Sequence, residues 1–309
     1  MTGVQTCALP ILLPSATEML YALGVEPVGV SHECDFPPGA SDLPAVNRSR
    51  VDPTASSTEI DDQVQDALET GGVYEIDRET LADLDPDYVV SQGICDVCAV
   101  DDTQIRGAVD ELGLDAEVVT SDPHSLQDVF EDIERLGRTV GVGDRARSVR
   151  ADLEARVAEI ERATPDDGPR VAVLDWLDPV MVAGHWIPGM VERVGGRYGL
   201  AARAEPSRPR EWDAIREYDP EVLVVSPCGF GLDQTRENAA DLTEREGWAE
   251  LTAVENDRVY AVDGHHYVNR PGPRLVETLA ALASVVHPGS VRPPDGAVES
   301  FPPTVTPTG

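Results

Sequence analysis

A chain of 309 residues, 41% of them apolar, is long enough to fold as two domains with a buried core in each. Its 57 acidic residues outnumber 24 basic ones, every one an arginine, and the formal charge of −33 repels nucleic-acid phosphates and anionic membrane surfaces, which argues against both as partners. No apolar run of about 18 residues occurs, so no membrane-spanning helix is expected.

The acidic residues are spread along the whole chain, and lysine is absent. That pattern is read as a halophilic surface, kept hydrated in concentrated salt by dense carboxylates. Residues 1–10, Met-Thr-Gly-Val-Gln-Thr-Cys-Ala-Leu-Pro, have no basic start and no long apolar stretch. They read as a non-native start, which leaves Cys7 without meaning. The sequence as it stands therefore predicts a cytoplasmic protein, or an extracytoplasmic one if a native leader has been displaced.

In chain order, Ser15 and Glu18 form a capping box that opens a helix closed by Gly24. A strand is predicted at Val28–Ser31. Helices follow near 58–69 and 78–84, a strand at 88–91, a helix near 102–112 and a strand at 117–120. Alternation of this kind is the mark of a mostly parallel sheet covered by helices. Ser125 opens a helix with Leu126, Val129, Phe130, Ile133, Leu136 and Val140 at helical spacing. A second, long helix runs from Asp144 to Ala163. Strands are then predicted at 171–175, 222–226 and 259–262, and a last helix at 273–286.

The two halves echo each other. Leu84-Asp85-Pro86-Asp87-Tyr88-Val89-Val90-Ser91 is similar to Tyr218-Asp219-Pro220-Glu221-Val222-Leu223-Val224-Val225-Ser226. The expected fold is α/β, with two similar lobes built on central, mostly parallel sheets. A single long interdomain helix joins them, and a ligand cleft lies between them. The boundaries are 11–143 for the first lobe, 144–163 for the helix and 164–287 for the second lobe. Residues 288–309, rich in proline, glycine, serine and threonine, are expected to be a disordered tail.

Four cysteines follow predicted strands: Cys34, Cys95, Cys98 and Cys228. Ligands of open α/β sheets bind outside the carboxyl ends of the strands, so these thiols are candidates for one cleft. Cys95-Asp96-Val97-Cys98 has the spacing for two thiolates on one metal. Three readings stay open: a shared Zn or Fe–S site of Cys34, Cys95, Cys98 and Cys228, in which His32 replaces one thiol; thiols that only line the cleft; or a redox dithiol. His265-His266-Tyr267 follows the strand at 259–262, with Arg270 just beyond. Trp176, His185, Trp186 and Phe230 offer a flat wall in the second half. No phosphate-binding glycine loop, Gly-x-Ser-x-Gly elbow or His-Glu-x-x-His motif is present, which argues against an enzyme.

Leu12-Leu13-Pro14-Ser15-Ala16-Thr17-Glu18 with Leu23-Gly24, Val28-Gly29-Val30-Ser31 with Cys34-Asp35-Phe36-Pro37-Pro38, Asp85-Pro86-Asp87, Gly195-Gly196 and the stretch from Asp263-Gly264 to Arg274 carry a resemblance. They resemble the helix-linked, class III substrate-binding proteins of cobalamin and iron-siderophore transporters, on the cobalamin-binding branch. The likeness spans about Ile11 to His287. It implies a monomer that captures a cobalamin-like corrinoid or related metal chelate and serves an ABC-type permease. No cofactor is then required, cobalamin being the ligand. Ligand contacts are expected from His32, Cys34, Phe36, Gln92, Cys95, Cys98, Trp176, His185, Trp186, Cys228, Phe230, His265, His266, Tyr267 and Arg270. A histidine of the His265-His266 pair would reach cobalt or stack on the ring, and Asp101 or Asp102 would face the permease. The alternative is an intracellular metal- or Fe–S-binding protein, or a thiol oxidoreductase using Cys95 and Cys98.

Overall fold

The computed structural model describes residues 13–94, 100 and 102–301. Cys7, Cys95, Cys98 and Asp101 lie outside the described residues. The chain divides into two units: Met1–Ala55, Glu59–Pro123 and Gln127–Ala151 form the first, and Ser56–Thr58, His124–Leu126 and Asp152–Gly309 the second. The boundary at 151/152 falls inside one continuous helix, Gly143–Ala163, whose 21 residues run for about 30 Å at 1.5 Å per residue. Among the described residues, no helix is long and apolar enough to cross a membrane.

In the first unit, β1 (Asn47–Ser49) pairs antiparallel with β2 (Tyr74–Ile76), and β3 (Tyr88–Gln92) pairs parallel with β4 (Glu117–Ser121). The helix Asp102–Leu112 connects β3 to β4, and its Ile105, Ala108 and Val109 pack with Val89 and Leu81 in the core. Two expectations are corrected here. The first helix is Pro14–Ala22, capped by Leu13 without a side-chain bond, so Ser15 and Glu18 are not its capping box. Pro14 sets φ for a first helical position and starts the helix two residues early, leaving Ser15 and Glu18 buried within it. The predicted strand at 28–31 shrinks to isolated bridging at Gly29 and Val30, with Val30 paired to Ala45. Its neighbour contains Pro37, Pro38 and Pro44, which have no N–H to extend a ladder.

The second unit holds a six-stranded sheet: β5 (Val171–Trp176), β6 (Met181–Val182), β7 (Arg208–Pro209), β8 (Val222–Val225), β9 (Val259–Val262) and β10 (Val298–Ser300), in the order β10-β9-β8-β5-β6-β7. β5, β8 and β9 are parallel and the margins antiparallel. Every residue of β5 and β8 is buried, as continuous apolar runs in a doubly covered parallel sheet require. The helix Leu275–Val286 is buried along nearly its whole length.

The tail expected to be disordered is structured as far as 301. Val298–Ser300 adds to β9 with Val298 opposite Val262, and Ala297 and Phe301 are buried. A three-residue strand among prolines and glycines leaves little periodicity to read, and the packing of Phe301 against Trp248 holds it.

The internal echo has a physical basis. Seven-residue helices, Arg78–Leu84 and Trp212–Tyr218, each end on an aspartate in the left-handed region, Asp85 at φ 41° and Asp219 at φ 46°, and a proline and a parallel strand follow. Asp219 does more than Asp85. Its carboxylate accepts from Thr252 N (2.9 Å) and Thr252 Oγ1 (2.7 Å), and its carbonyl accepts from Arg170 Nε (2.9 Å) and Nη2 (2.8 Å). The backbone bond from Thr252, then its hydroxyl and Arg170, hold the Asp219 carboxyl below its ordinary range against a smaller effect of burial.

At the end of β5, Asp175 is buried, and its Oδ1 has no hydrogen-bond partner among the described residues. Burial pushes its pKa up to about 6, opposed only in part by a bond from Ser207. The folded state thus holds this proton more tightly than the unfolded chain does. The resulting stability is complete below the ordinary aspartate range and is lost as pH rises through about 6.

Two outcomes follow for chemical denaturation. Asp219→Ala lowers the unfolding free energy by about 1–2 kcal/mol, whereas Asp85→Gly leaves it unchanged or raises it by up to about 1 kcal/mol, because glycine removes the left-handed penalty where no side-chain bonds are lost. Asp175→Asn gains on the wild type as pH rises from 4 to 7; a constant difference across that range would show that Asp175 ionises as a solvent-exposed aspartate does.

Candidate functional site

Three parallel strands end side by side in the second unit, and the loops that leave them are where an α/β sheet binds its ligand. The loop after β8, Ser226-Pro227-Cys228-Gly229-Phe230, is clamped to the loop after β9. Gly264 N and His265 N both donate to Phe230 O (3.1 and 3.0 Å), and Cys228 N donates to Asp175 O (2.9 Å). The approach is so close that a Cβ at Gly264 would lie 2.2 Å from Pro227 O, so only glycine fits.

After β9 the chain makes one π-helical turn, Gly264–Val268. Such single turns are rare and gather at functional sites. Asp263 caps the turn. Its Oδ1 accepts from His266 N and its Oδ2 from His266 Nδ1, both at 2.7 Å. Arg270 Nη2 lies 3.0 Å from His265 Nε2. A guanidinium only donates, so His265 Nε2 is the acceptor. The rings of His265 and His266 stand edge to face, 4.7 Å apart at 89°. Arg270 and Arg274 are only 6% and 9% exposed, and the Arg274 guanidinium lies over the Tyr267 ring at 5.7 Å. The turn thus presents two imidazoles and a phenol on a base of two buried cations.

Trp176, Trp186 and Phe230 are buried. Trp176 packs edge-on against Phe230 at 5.2 Å and donates to Asp178 O, while Trp186 Nε1 donates to Val268 O at 3.0 Å. They brace the loops from below, because an indole with its N–H bonded to backbone belongs to the packing. His185 sits at φ 50° with its ring 5.5 Å from Trp186. Cys228 is partly exposed.

In the first unit, His32, Cys34 and Phe36 share one loop. His32 N and Nδ1 each lie 3.0 Å from Asn47 Oδ1, and its ring is tilted against Tyr74. Phe36 precedes a cis proline and is 45% exposed. Gln92 ends β3 and is buried. Cys34 is buried with Val30 and Ala40, its sulfur 3.1 Å from Thr17 Oγ1, in an environment that suits a packed thiol better than a metal ligand. Cys95 and Cys98, on which the metal and redox readings depend, lie outside the described residues. Asp102 is not a free surface acid either. Burial opposes its charge, but bonds from Arg106, Thr120 and Ser91 prevail and hold it below the ordinary range.

Sequence reasoning missed Asp263. The signal was present as Asp-x-x-His, the spacing at which a capping carboxylate reaches a ring in the first turn.

The family model described as "Periplasmic binding protein" matches residues 11–265. A cobalamin-binding protein of Halobacterium salinarum is 28% identical over 284 residues, covering 89% of this chain and 68% of its own. An uncharacterised ABC-transporter substrate-binding lipoprotein of Bacillus subtilis is 24% identical over 289 residues, covering 91% and 80%. Among solved structures, the periplasmic vitamin B12 binding protein BtuF of Vibrio cholerae superposes with a TM-score of 0.65 at 20% identity, covering 90% of this chain and 96% of that one. A periplasmic heme-binding protein of Pseudomonas aeruginosa gives 0.70 at 21% identity, covering 96% and 98%.

These relatives bind substrates and are not enzymes, and the oxidoreductase alternative finds no support among them. The cytoplasmic placement expected from the sequence is overturned as well, since the matching proteins are periplasmic or lipoprotein binding proteins that work outside the cytoplasm. The model match over most of its length settles the affiliation: this chain belongs to the periplasmic binding protein family.

Proposed function

We propose that this protein captures a cobalamin-like corrinoid outside the cytoplasm and delivers it to an ABC-type permease. The observation that carries the reading is the turn after β9. It sets His265, His266 and Tyr267 beside one another on buried Arg270 and Arg274, a surface suited to a flat metal macrocycle rimmed with hydrogen-bond acceptors. The cobalamin-binding relative from Halobacterium supports the same choice. Heme is the competing ligand. Two buried guanidiniums also suit carboxylates, and a heme binder is among the structures of the same fold. The net charge of −33 favours working conditions of high ionic strength, where self-repulsion is screened.

In titrations at high salt, cobalamin and cobinamide bind saturably and more tightly than hemin. Tyr267→Ala weakens corrinoid binding by about tenfold, about 1.4 kcal/mol, and Tyr267→Phe retains it, since the ring face is what the macrocycle meets. Tighter binding of hemin than of either corrinoid would reverse the assignment.

A further inference from the structure

The ladder between β5 and β6 pairs Leu174 with Val182 and Trp176 with Met181, so Asp175 is an extra residue, a β-bulge at the end of β5. Bulges re-aim a side chain and gather beside functional sites. This one turns a carboxyl inward: Asp175 is 8% exposed, and its Oδ1 has no hydrogen-bond partner among the described residues. Ser226, just past the end of β8, is buried with its Oγ in the same condition.

Burial dominates the titration of this carboxyl. Only the Ser207 hydroxyl, which accepts from Gly184 N (3.0 Å), and the Asp175 backbone N–H oppose it. The paired residues of β6 and β8 beside the bulge, Met181, Val182 and Val225, are apolar. The titratable and charged groups nearby are Cys228, Tyr198 and, beyond Tyr198, Arg210 and Tyr218. The Tyr198 phenol donates to Ala183 O (2.6 Å), and the Arg210 guanidinium is engaged by Leu200 O. An ionised Asp175 is therefore a buried charge that no cation balances.

The bulge is also where the binding loops are fastened. Asp175 O accepts from Cys228 N (2.9 Å), and the adjacent Trp176 packs edge-on against Phe230 at 5.2 Å. Phe230 O in turn accepts from Gly264 N and His265 N. Two successive residues of β5 thus hold the loop after β8 and, through it, the turn after β9.

We propose that Asp175 is a proton-controlled latch for the binding loops: while it is neutral the loop after β8 stays fastened to β5, and loss of its proton to solvent draws water to the bulge and loosens that loop. For the ligand, this rests on the corrinoid reading above, and it makes capture weaken as pH rises. The sign follows from burial. The fastened form keeps the proton up to about pH 6, whereas a loosened, hydrated carboxyl keeps it only in the ordinary aspartate range. Fastening is therefore favoured fully below that range and lost as pH rises through about 6.

The test uses the full chain and cyanocobalamin, none of whose groups titrates between pH 5 and 7.5. For wild type, Kd rises by about three- to tenfold over that range. Asp175→Asn keeps the shape without the charge, and its Kd stays flat. The variant leaves the histidines of the turn in place, so a dependence that survives in it belongs to another group. Hydrogen exchange without ligand, read by mass spectrometry and corrected for its intrinsic pH dependence, follows residues 226–230 and 263–268 directly. Wild type loses protection there between pH 5 and 7.5, and Asp175→Asn does not. If wild-type protection is unchanged, or if Asp175→Asn keeps the wild-type dependence in either readout, the latch is wrong. Cyanocobalamin binding then leaves the corrinoid reading standing. Cyanocobalamin that binds at no pH overturns that reading, and exchange alone decides the latch.

Discussion

The parallel register of β5, β8 and β9 is the constraint on which the second unit's chemistry depends. Leu174 lies opposite Val225, and Val225 opposite Ala261, so three strands end within two residues of one another. Their backbone groups are satisfied within the sheet, whose β5 and β8 are wholly buried, and the chain must leave at one edge. The loops after β8 and β9 are then neighbours, and they share the Phe230 carbonyl as an acceptor. Everything proposed for binding stands on that shared edge. The buried tryptophans are part of the same construction, because Trp186 holds Val268 at the end of the π turn and Trp176 backs Phe230.

Asp263 orders the turn on this scaffold. A capping aspartate ordinarily satisfies backbone N–H groups of a helix start. Here the same carboxylate also takes the ring N–H of His266, so one residue ends a strand, opens a turn and sets a tautomer. Arg270 and Arg274 add positive charge in a chain that is otherwise strongly negative. Their burial raises their effect on a nearby polar ligand, because the local dielectric is low and salt screens them less.

Much of the fold was legible because it rests on continuous patterns. The apolar runs at 171–175, 222–225 and 259–262, the long helix to Ala163 and the Asp-Pro echo between the halves all have their counterparts in the structure. The failures are local. Pro14 outranks Ser15 as a helix start, prolines around Val30 leave a bridge where a strand was expected, and Val298–Ser300 is too short to show a period. The site was legible in outline only. His265, His266, Tyr267 and Arg270 were named from their place after a strand, but which imidazole nitrogen faces outward depends on Asp263 and Arg270, a matter of three-dimensional pairing. For Trp176 and Trp186, sequence shows an aromatic residue without showing that its N–H is bonded to the backbone.

A crystal of the protein grown with diaquocobinamide, with diffraction recorded at the cobalt absorption edge, addresses the binding site directly. The strongest anomalous peak should lie beside the turn that carries His265, His266 and Tyr267, at the carboxyl edge of the second unit's sheet. A cobalt peak bound elsewhere on the protein would contradict the site derived from the turn after β9.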